Sequence, residues 1–297
     1  MKLDGRREST NVEDRRRAGG TIAGVLGGGG IIAIIITLVS QFLGGGGGGI
    51  GDVLGQLVGQ VIEQKISTSP ADDAQFTEEE QALAKISRQI LASTEDVWTA
   101  EFQKHGLTYR NPTLVLYTGT TSTGGCGTGQ SAMGPFYCSA DEKLYVDLSF
   151  FSSMKQQLGV EGTEFVYAYV IAHEVGHHIE NLRGDLAREH KKMKSMSQKE
   201  ANKRSVRIEL QADYYAGVWA YHENKNNKSL EAGDVDRALD CARKIGDDYL
   251  QKKGQGYVVE DSFTHGTAEQ RKRWLEKGLR SGDMNGGDTY SISENQL

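Results

Sequence analysis

Cysteine is scarce in this chain: 3 among 297 residues, too few for a fold held by a disulfide framework. There is no Cys-x-x-Cys pair, so none of the three looks like a zinc ligand. Basic residues form no block. Lys and Arg number 34 against 40 Asp and Glu, a net charge of −6, which leaves no nucleic-acid footprint. The 3 prolines are few beside 38 glycines, and much of the glycine excess sits in two runs, Gly27 to Gly30 and Gly44 to Gly49. Strands and helices do not alternate as βαβ units, and there is no internal repeat. That leaves α+β, mostly helical with a small sheet, as the expected fold class.

Charge is also missing over one long stretch, from Ala18 to Gly51. Within it, Thr21 to Leu43 is rich in Ile, Leu, Val, Ala and Gly. As a helix rising about 1.5 Å per residue it is long enough for a hydrocarbon core of about 30 Å. No Ala-x-Ala-like cleavage site follows it, so the expectation is a retained transmembrane anchor; a cleaved span would instead give a secreted soluble enzyme. Lys2, Arg6, Arg7, Arg15, Arg16 and Arg17 precede the stretch, and the next basic residue is Lys65. The positive-inside rule then puts residues 1–20 in the cytoplasm and the bulk of the chain outside, as a single-pass protein of the cell membrane.

Residues 44–76 read as a glycine-rich linker carrying an amphipathic helix, with Ile50, Val53, Leu54, Leu57, Val58, Val61 and Ile62 on one face. Such a helix lies on a membrane surface, pairs with a second copy to make a homo-oligomer through 50–62, or covers the folded domain; the residues leave these open. Residues 77–297 read as one domain. Thr77 and Glu80 form a capping box, and Ile86, Ile90, Leu91 and Val97 fit an early helix. Thr113 to Tyr117 and Leu144 to Phe150 read as strands, and helical patterns run over about 163–182, 198–223, 233–252 and 267–279.

The strongest signal is His173-Glu174-Val175-Gly176-His177. Histidines four apart on a helix share a face and can hold one Zn2+. Glu174 is placed to act as general base toward a water at that ion. The apolar run Phe165 to Ala172 makes the helix a buried one. A catalytic zinc needs a third protein ligand, and Glu209, in Glu209-Leu210-Gln211-Ala212-Asp213, is the candidate. Asp213 is one turn further along the same face and suited to orient a liganding histidine. His265, before a helix starting near Ala268, is a candidate oxyanion stabiliser; the alternative is a residue that orients its loop.

Other residues have plainer readings. His178 points about 100° away from His177 and reads as structural. Glu180, three residues after His177 on a similar side, could stand behind a metal ligand but reads as a surface carboxylate by default, and His105, His190 and His222 read as surface or structural. Cys126 and Cys138 bracket a glycine-rich loop and, outside the cytoplasm, can close it as a disulfide; otherwise they are two buried thiols. Cys241 reads as a core residue.

Taken with the opening Gly5-Arg6-Arg7-Glu8-Ser9 and Asn11-Val12-Glu13-Asp14-Arg15-Arg16, the stretch Gly134-Pro135-Phe136-Tyr137-Cys138, and Phe263-Thr264-His265-Gly266, the zinc motif makes the chain resemble the neutral zinc metallopeptidases of the bacterial YpfJ family, nearly end to end. The resemblance implies a zincin-like fold and a membrane-anchored, zinc-dependent peptidase whose substrate it leaves undefined. More distantly, the Glu-x-x-Ala-Asp segment is similar to the third-ligand helix of gluzincins, which favours Glu209 over Asp213 as the ligand. The expected function is hydrolysis of a peptide or protein substrate, with the strand over Leu144 to Ser149 offering an edge for it. The rival is a non-catalytic membrane module whose zinc only staples the fold and which acts as an interaction partner; a base beside the ligands argues against it.

Overall fold

The computed structural model describes residues 1–16 and 76–297, and elements are numbered within those residues. In chain order they are β1 (Val12–Asp14), α1 (Glu78–Lys104), β2 (Thr113–Tyr117), the hairpin β3 (Thr120–Ser122) and β4 (Thr128–Gln130), β5 (Phe136–Cys138) and β6 (Lys143–Asp147). The helical half follows with α2 (Ser149–Leu158), α3 (Glu164–Leu182), α4 (Asp185–Met193), α5 (Gln198–Asn227), α6 (Asp234–Lys244), α7 (Asp247–Gln255) and α8 (Ala268–Ser281). The sheet order is β1-β2-β6-β5. The first three strands are parallel, and β5 closes the edge antiparallel to β6. Alternation along β2 and β6 divides their side chains. Leu114, Leu116, Leu144 and Val146 enter the main core, while Val115, Tyr117 and Tyr145 pack with Cys138 on the other face.

The main core lies where α3, α5 and α8 cross. Thr77 caps α1 and Thr163 caps α3, each side chain accepting a backbone N–H of the first turn. The α3 and α5 backbones approach closely at the middle of the zinc motif. A Cβ at Gly176 would lie 2.7 Å from the Ala212 carbonyl oxygen, so only glycine permits this crossing.

Several sequence expectations are corrected here. The stretch Thr21 to Leu43, the amphipathic helix over 50–62 and the linker up to residue 75 lie outside the described residues. Among the described residues, no helix is long and apolar enough to cross a membrane. The segment expected in the cytoplasm is instead part of the folded domain: Val12, Glu13 and Asp14 pair in register with Leu114, Val115 and Leu116. Arg6 forks onto Glu223 at 2.7 and 3.2 Å, and Arg7, Ser9 and Asn11 converge on Glu95. Two parts of one sheet cannot sit on opposite sides of a bilayer. The fold class is therefore corrected to a mostly helical α+β domain with a small sheet, with no membrane-crossing helix among the described residues. The single-pass cell-membrane location with an external catalytic domain falls with it.

Smaller differences have local causes. The second strand ends at Asp147, whose Oδ1 accepts the Ser149 N–H at 2.9 Å, and α2 starts at Ser149. That strand, β6, is also interior, paired on both sides, so the sheet edges belong to β1 and β5. The pattern over 233–252 divides into α6 and α7 at Gly246. A Cβ there would lie 2.4 Å from Ala268 N, where α8 begins.

Candidate metal centre

α3 and α5 run antiparallel, so successive turns of the two helices meet as rungs. Tyr169 meets Asp213, His173 meets Asp213 and Glu209, and His177 meets Glu209. Among the described residues, His173, His177 and Glu209 form a group whose ligand atoms all lie within 4.8 Å of one another. His173 Nε2 is 3.1 Å from Glu209 Oε2, and His177 Nε2 is 3.6 Å from Glu209 Oε1. Ligand atoms placed tetrahedrally at about 2.1 Å from one ion stand roughly 3.4 Å apart, so the spacing suits a zinc-sized cation.

The outer nitrogens are committed, which fixes the tautomer the metal needs. His173 Nδ1–H donates to Asp213 Oδ1 at 2.9 Å, and His177 Nδ1–H donates to Glu180 Oε2 at 2.8 Å. Both Nε2 atoms are left to face Glu209. Asp213 also accepts from the Tyr169 hydroxyl at 2.7 Å and from Arg271 Nε and Nη2 at 2.8 and 3.0 Å. Its two oxygens therefore face four donors in a site closed to solvent.

Charge supports the same conclusion. Burial alone would lower the His173 imidazolium, but Asp213 and Glu209 more than offset it and raise it to about 9. His177 is likewise raised well above its ordinary value, burial again being outweighed by Glu209 and Glu180. Burial pushes the Glu209 carboxyl up, yet His177 and His265 hold it well below the ordinary range. The carboxylates of Asp213, Glu209 and Glu180 thus favour positive charge at the two imidazoles, and a divalent cation would supply it. The donor set of two imidazoles and a carboxylate is one that zinc takes.

Glu174 projects into the same cavity, which has a volume of about 290 Å³. Burial, resisted by the two neighbouring histidines, raises its carboxyl. That increases its affinity for a proton, which is what a base needs. His265 also lines the cavity. Its loop is held by Asp247, whose Oδ2 accepts the backbone N–H groups of Thr264, His265 and Gly266 at 2.7, 2.7 and 3.0 Å. Burial lowers the His265 imidazolium, while Glu209 and Asp247 more than compensate and raise it.

The structure thus brings His173, Glu174, His177, Glu209 and His265 to one cavity and places Asp213 directly behind them. It leaves His178 out: its Nε2–H donates to the Arg110 carbonyl at 2.6 Å and its Nδ1 accepts from Tyr137 at 2.9 Å. His105 is exposed at the end of α1, and His222 bonds the Gly282 carbonyl. Cys126 and Cys138 are joined as a disulfide with Cα atoms 5.9 Å apart, and Cys241 is a free buried thiol.

Sequence reasoning missed three neighbours, His190, Arg271 and Asp247, and left Glu180 at its surface default. Glu180 is not a surface group: it is buried against His177, and burial raises its carboxyl to about 7. Its signal was the three-residue spacing from His177. His190 lines the cavity from α4. Arg271 and Asp247 carried no signal, because each acts through contacts distant in sequence.

A family model described as "Putative neutral zinc metallopeptidase" matches residues 1–290. The chain is 46% identical over 297 residues to the protein YpfJ of Escherichia coli K12, covering 99% of this chain and 100% of that one. It is 38% identical over 195 residues to the protein Rv2575 of Mycobacterium tuberculosis H37Rv, covering 63% of this chain and 64% of that one. No solved structure matches it. A match over almost the whole length, on a chain whose His-His-Glu group suits zinc, makes this protein a member of the neutral zinc metallopeptidase family.

Proposed function

We propose that the protein is a zinc-dependent peptidase that hydrolyses peptide bonds with Glu174 as general base. His173 and His177 would hold the ion through Nε2 and Glu209 through its carboxylate. A zinc ion bound there supplies Lewis acidity, which lowers the pKa of a water toward about 7 and polarises a carbonyl. Glu174 takes a proton from the attacking water and returns it to the departing amine. His265, held by Asp247, donates a hydrogen bond to the oxygen that gains charge. Asp213 and Glu180 keep the two imidazoles in the liganding tautomer, and Tyr169 and Arg271 hold Asp213. The free edge of β5, lining the cavity, offers backbone groups to an extended substrate.

The observation that carries this reading is the buried Glu174 side chain lining the same cavity as the ligand cluster, since a metal that only staples a fold has no use for a base. The test is metal removal from the full chain by a chelator, followed by readdition of zinc. Peptide hydrolysis should vanish and return with about one zinc per chain, and Glu209→Ala should bind zinc weakly. Hydrolysis that persists in metal-free protein would reject the proposal.

A further inference from the structure

One wall of the metal-centre cavity is a short segment held from outside. Residues 133–137 and Ser139 line the cavity. They belong to the turn after β4 and to β5, an edge strand that pairs only with β6, over three residues. The Tyr137 hydroxyl fastens the middle of β5 to α3, 2.9 Å from His178 Nδ1 and 3.1 Å from Asn181 Nδ2. Phe136 stacks on Tyr145 with ring centroids 4.9 Å apart. The β3–β4 hairpin covers Phe136. A Cβ at Gly129 would lie 2.6 Å from that ring, so β4 rests directly on it.

The hairpin has little else to hold it there. It forms its own two-stranded sheet, and an isolated two-stranded hairpin is marginally stable at best in water. From Gly119 to Gln130 the chain is Gly, Thr, Ser, Gln and Cys126, with no large apolar side chain to bury. Its ties are polar. Asp147 takes the Gly119 N–H at 2.8 Å, Arg15 Nη1 donates to the Ser122 carbonyl at 3.0 Å, and Asp141 takes the Gly124 N–H at 2.7 Å. The last two are exposed, where such bonds add little. The covalent tie is Cys126–Cys138, which joins the hairpin's tip to the last residue of β5. Cys138 is buried, while Cys126 is half-buried among the exposed Gly124, Gly125 and Gly127. Cys126 Sγ is therefore the sulfur that an outside thiolate reaches.

Resting on the peptidase reading above, we propose that Cys126 and Cys138 are a redox-sensitive positioning pair: joined, they clamp the hairpin on Phe136 and hold β5 as the edge that binds substrate. A dithiol opens the clamp. Its thiolate attacks Cys126 Sγ and the S–S bond breaks with Cys138 leaving as thiolate; its second sulfur then displaces Cys126. The dithiol ends as a cyclic disulfide, and its two protons end on Cys126 and Cys138. The open form binds an extended substrate less tightly. The metal centre keeps its ion, because the candidate ligands and the groups behind them lie on α3, α5 and α8, and Tyr137 still fastens β5 to α3.

The test is calorimetry on zinc-loaded full chain with two probes: acetohydroxamate, which reaches only the metal, and trialanine hydroxamate, which also lies along β5. Three proteins are compared: oxidised wild type, wild type reduced with dithiothreitol and then freed of it and reloaded with zinc, and Cys126→Ser. In the oxidised protein the trialanine probe should bind at least about 10-fold tighter than acetohydroxamate. Opening the bond should cut that ratio by about 10-fold, the worth of one or two backbone hydrogen bonds. Acetohydroxamate affinity and about one zinc per chain should hold, and reoxidation should restore the reduced wild type but not the variant. If Cys126→Ser does not fold, reduction of folded wild type carries the test. A ratio near one in the oxidised protein, or a ratio unchanged by opening the bond, overturns the proposal. Loss of zinc and of both probes together on opening also overturns it, since the bond would then staple the whole domain. Failure of both probes to bind the oxidised zinc-loaded protein overturns the peptidase reading instead.

Discussion

Replacing Arg6 with Met should destabilise the protein by about 2–3 kcal/mol at neutral pH. The Arg6 guanidinium reaches the two Glu223 oxygens at 2.7 and 3.2 Å. The Glu223 side chain is 1% exposed and that of Arg6 24%. Each lost bond to a charged group is worth about 1.5–3 kcal/mol, and the pair is not additive. Ser93 Oγ at 2.5 Å and Asn227 Nδ2 at 3.0 Å still satisfy Glu223, and the partial exposure of Arg6 lowers the figure further. For a domain of this size the loss corresponds to roughly 5–10 °C in Tm. A double-mutant cycle with Glu223→Gln, read by urea unfolding of the full chain, isolates the pair and should give a coupling of about 1–2 kcal/mol. Burial raises the Glu223 carboxyl, but Arg6 and Ser93 more than offset it, so its folded value lies below the ordinary range. The contribution is therefore complete above that range and lost as pH falls through the folded value, and the coupling should fade in acid. Zero coupling at pH 7, with both single variants as stable as wild type, would mean that residues 1–16 are not seated in the domain.

Three further outcomes follow from the geometry. Asp213→Asn and Glu180→Gln should each weaken zinc affinity by roughly 10- to 100-fold, measured by chelator competition; unchanged affinity in both would remove their orienting role. His265→Ala should lower kcat by about 10²-fold or more while zinc content holds, and a change in KM alone would assign the residue to substrate binding. Peptide mapping without reductant should find Cys126 linked to Cys138, and two alkylated free thiols in oxidised native material would contradict that bond.

The helix carrying the candidate metal ligands was readable because its chemistry lies in a local period: His173 and His177 share a face whatever the rest of the chain does. Glu209 and Asp213 were readable for the same reason, as carboxylates one turn apart on an apolar helix. Glu180 was only half readable: its three-residue spacing put it near His177, but nothing local distinguishes a buried carboxylate from a solvated one. β1 escaped notice because it is three residues long, two of them acidic, and exists only by pairing with a strand about a hundred residues away. The topology reading failed for a related reason. It counted Arg6, Arg7, Arg15 and Arg16 as charges flanking an apolar span, whereas they pair with Glu223, Glu95, Glu13 and Asp14. Flanking charge is a topology signal only where tertiary partners have not claimed it.

The central claim, that the His-His-Glu group with Glu174 in the same cavity is a hydrolytic centre, is tested most directly by pairing zinc analysis with peptide turnover for wild type and Glu174→Gln. Glutamine keeps the shape and a hydrogen-bond acceptor but loses the basicity. The variant should therefore hold about one zinc per chain, unfold at the wild-type temperature within a few degrees, and hydrolyse peptides at least about 10²-fold more slowly. Zinc retained together with wild-type turnover would contradict the account.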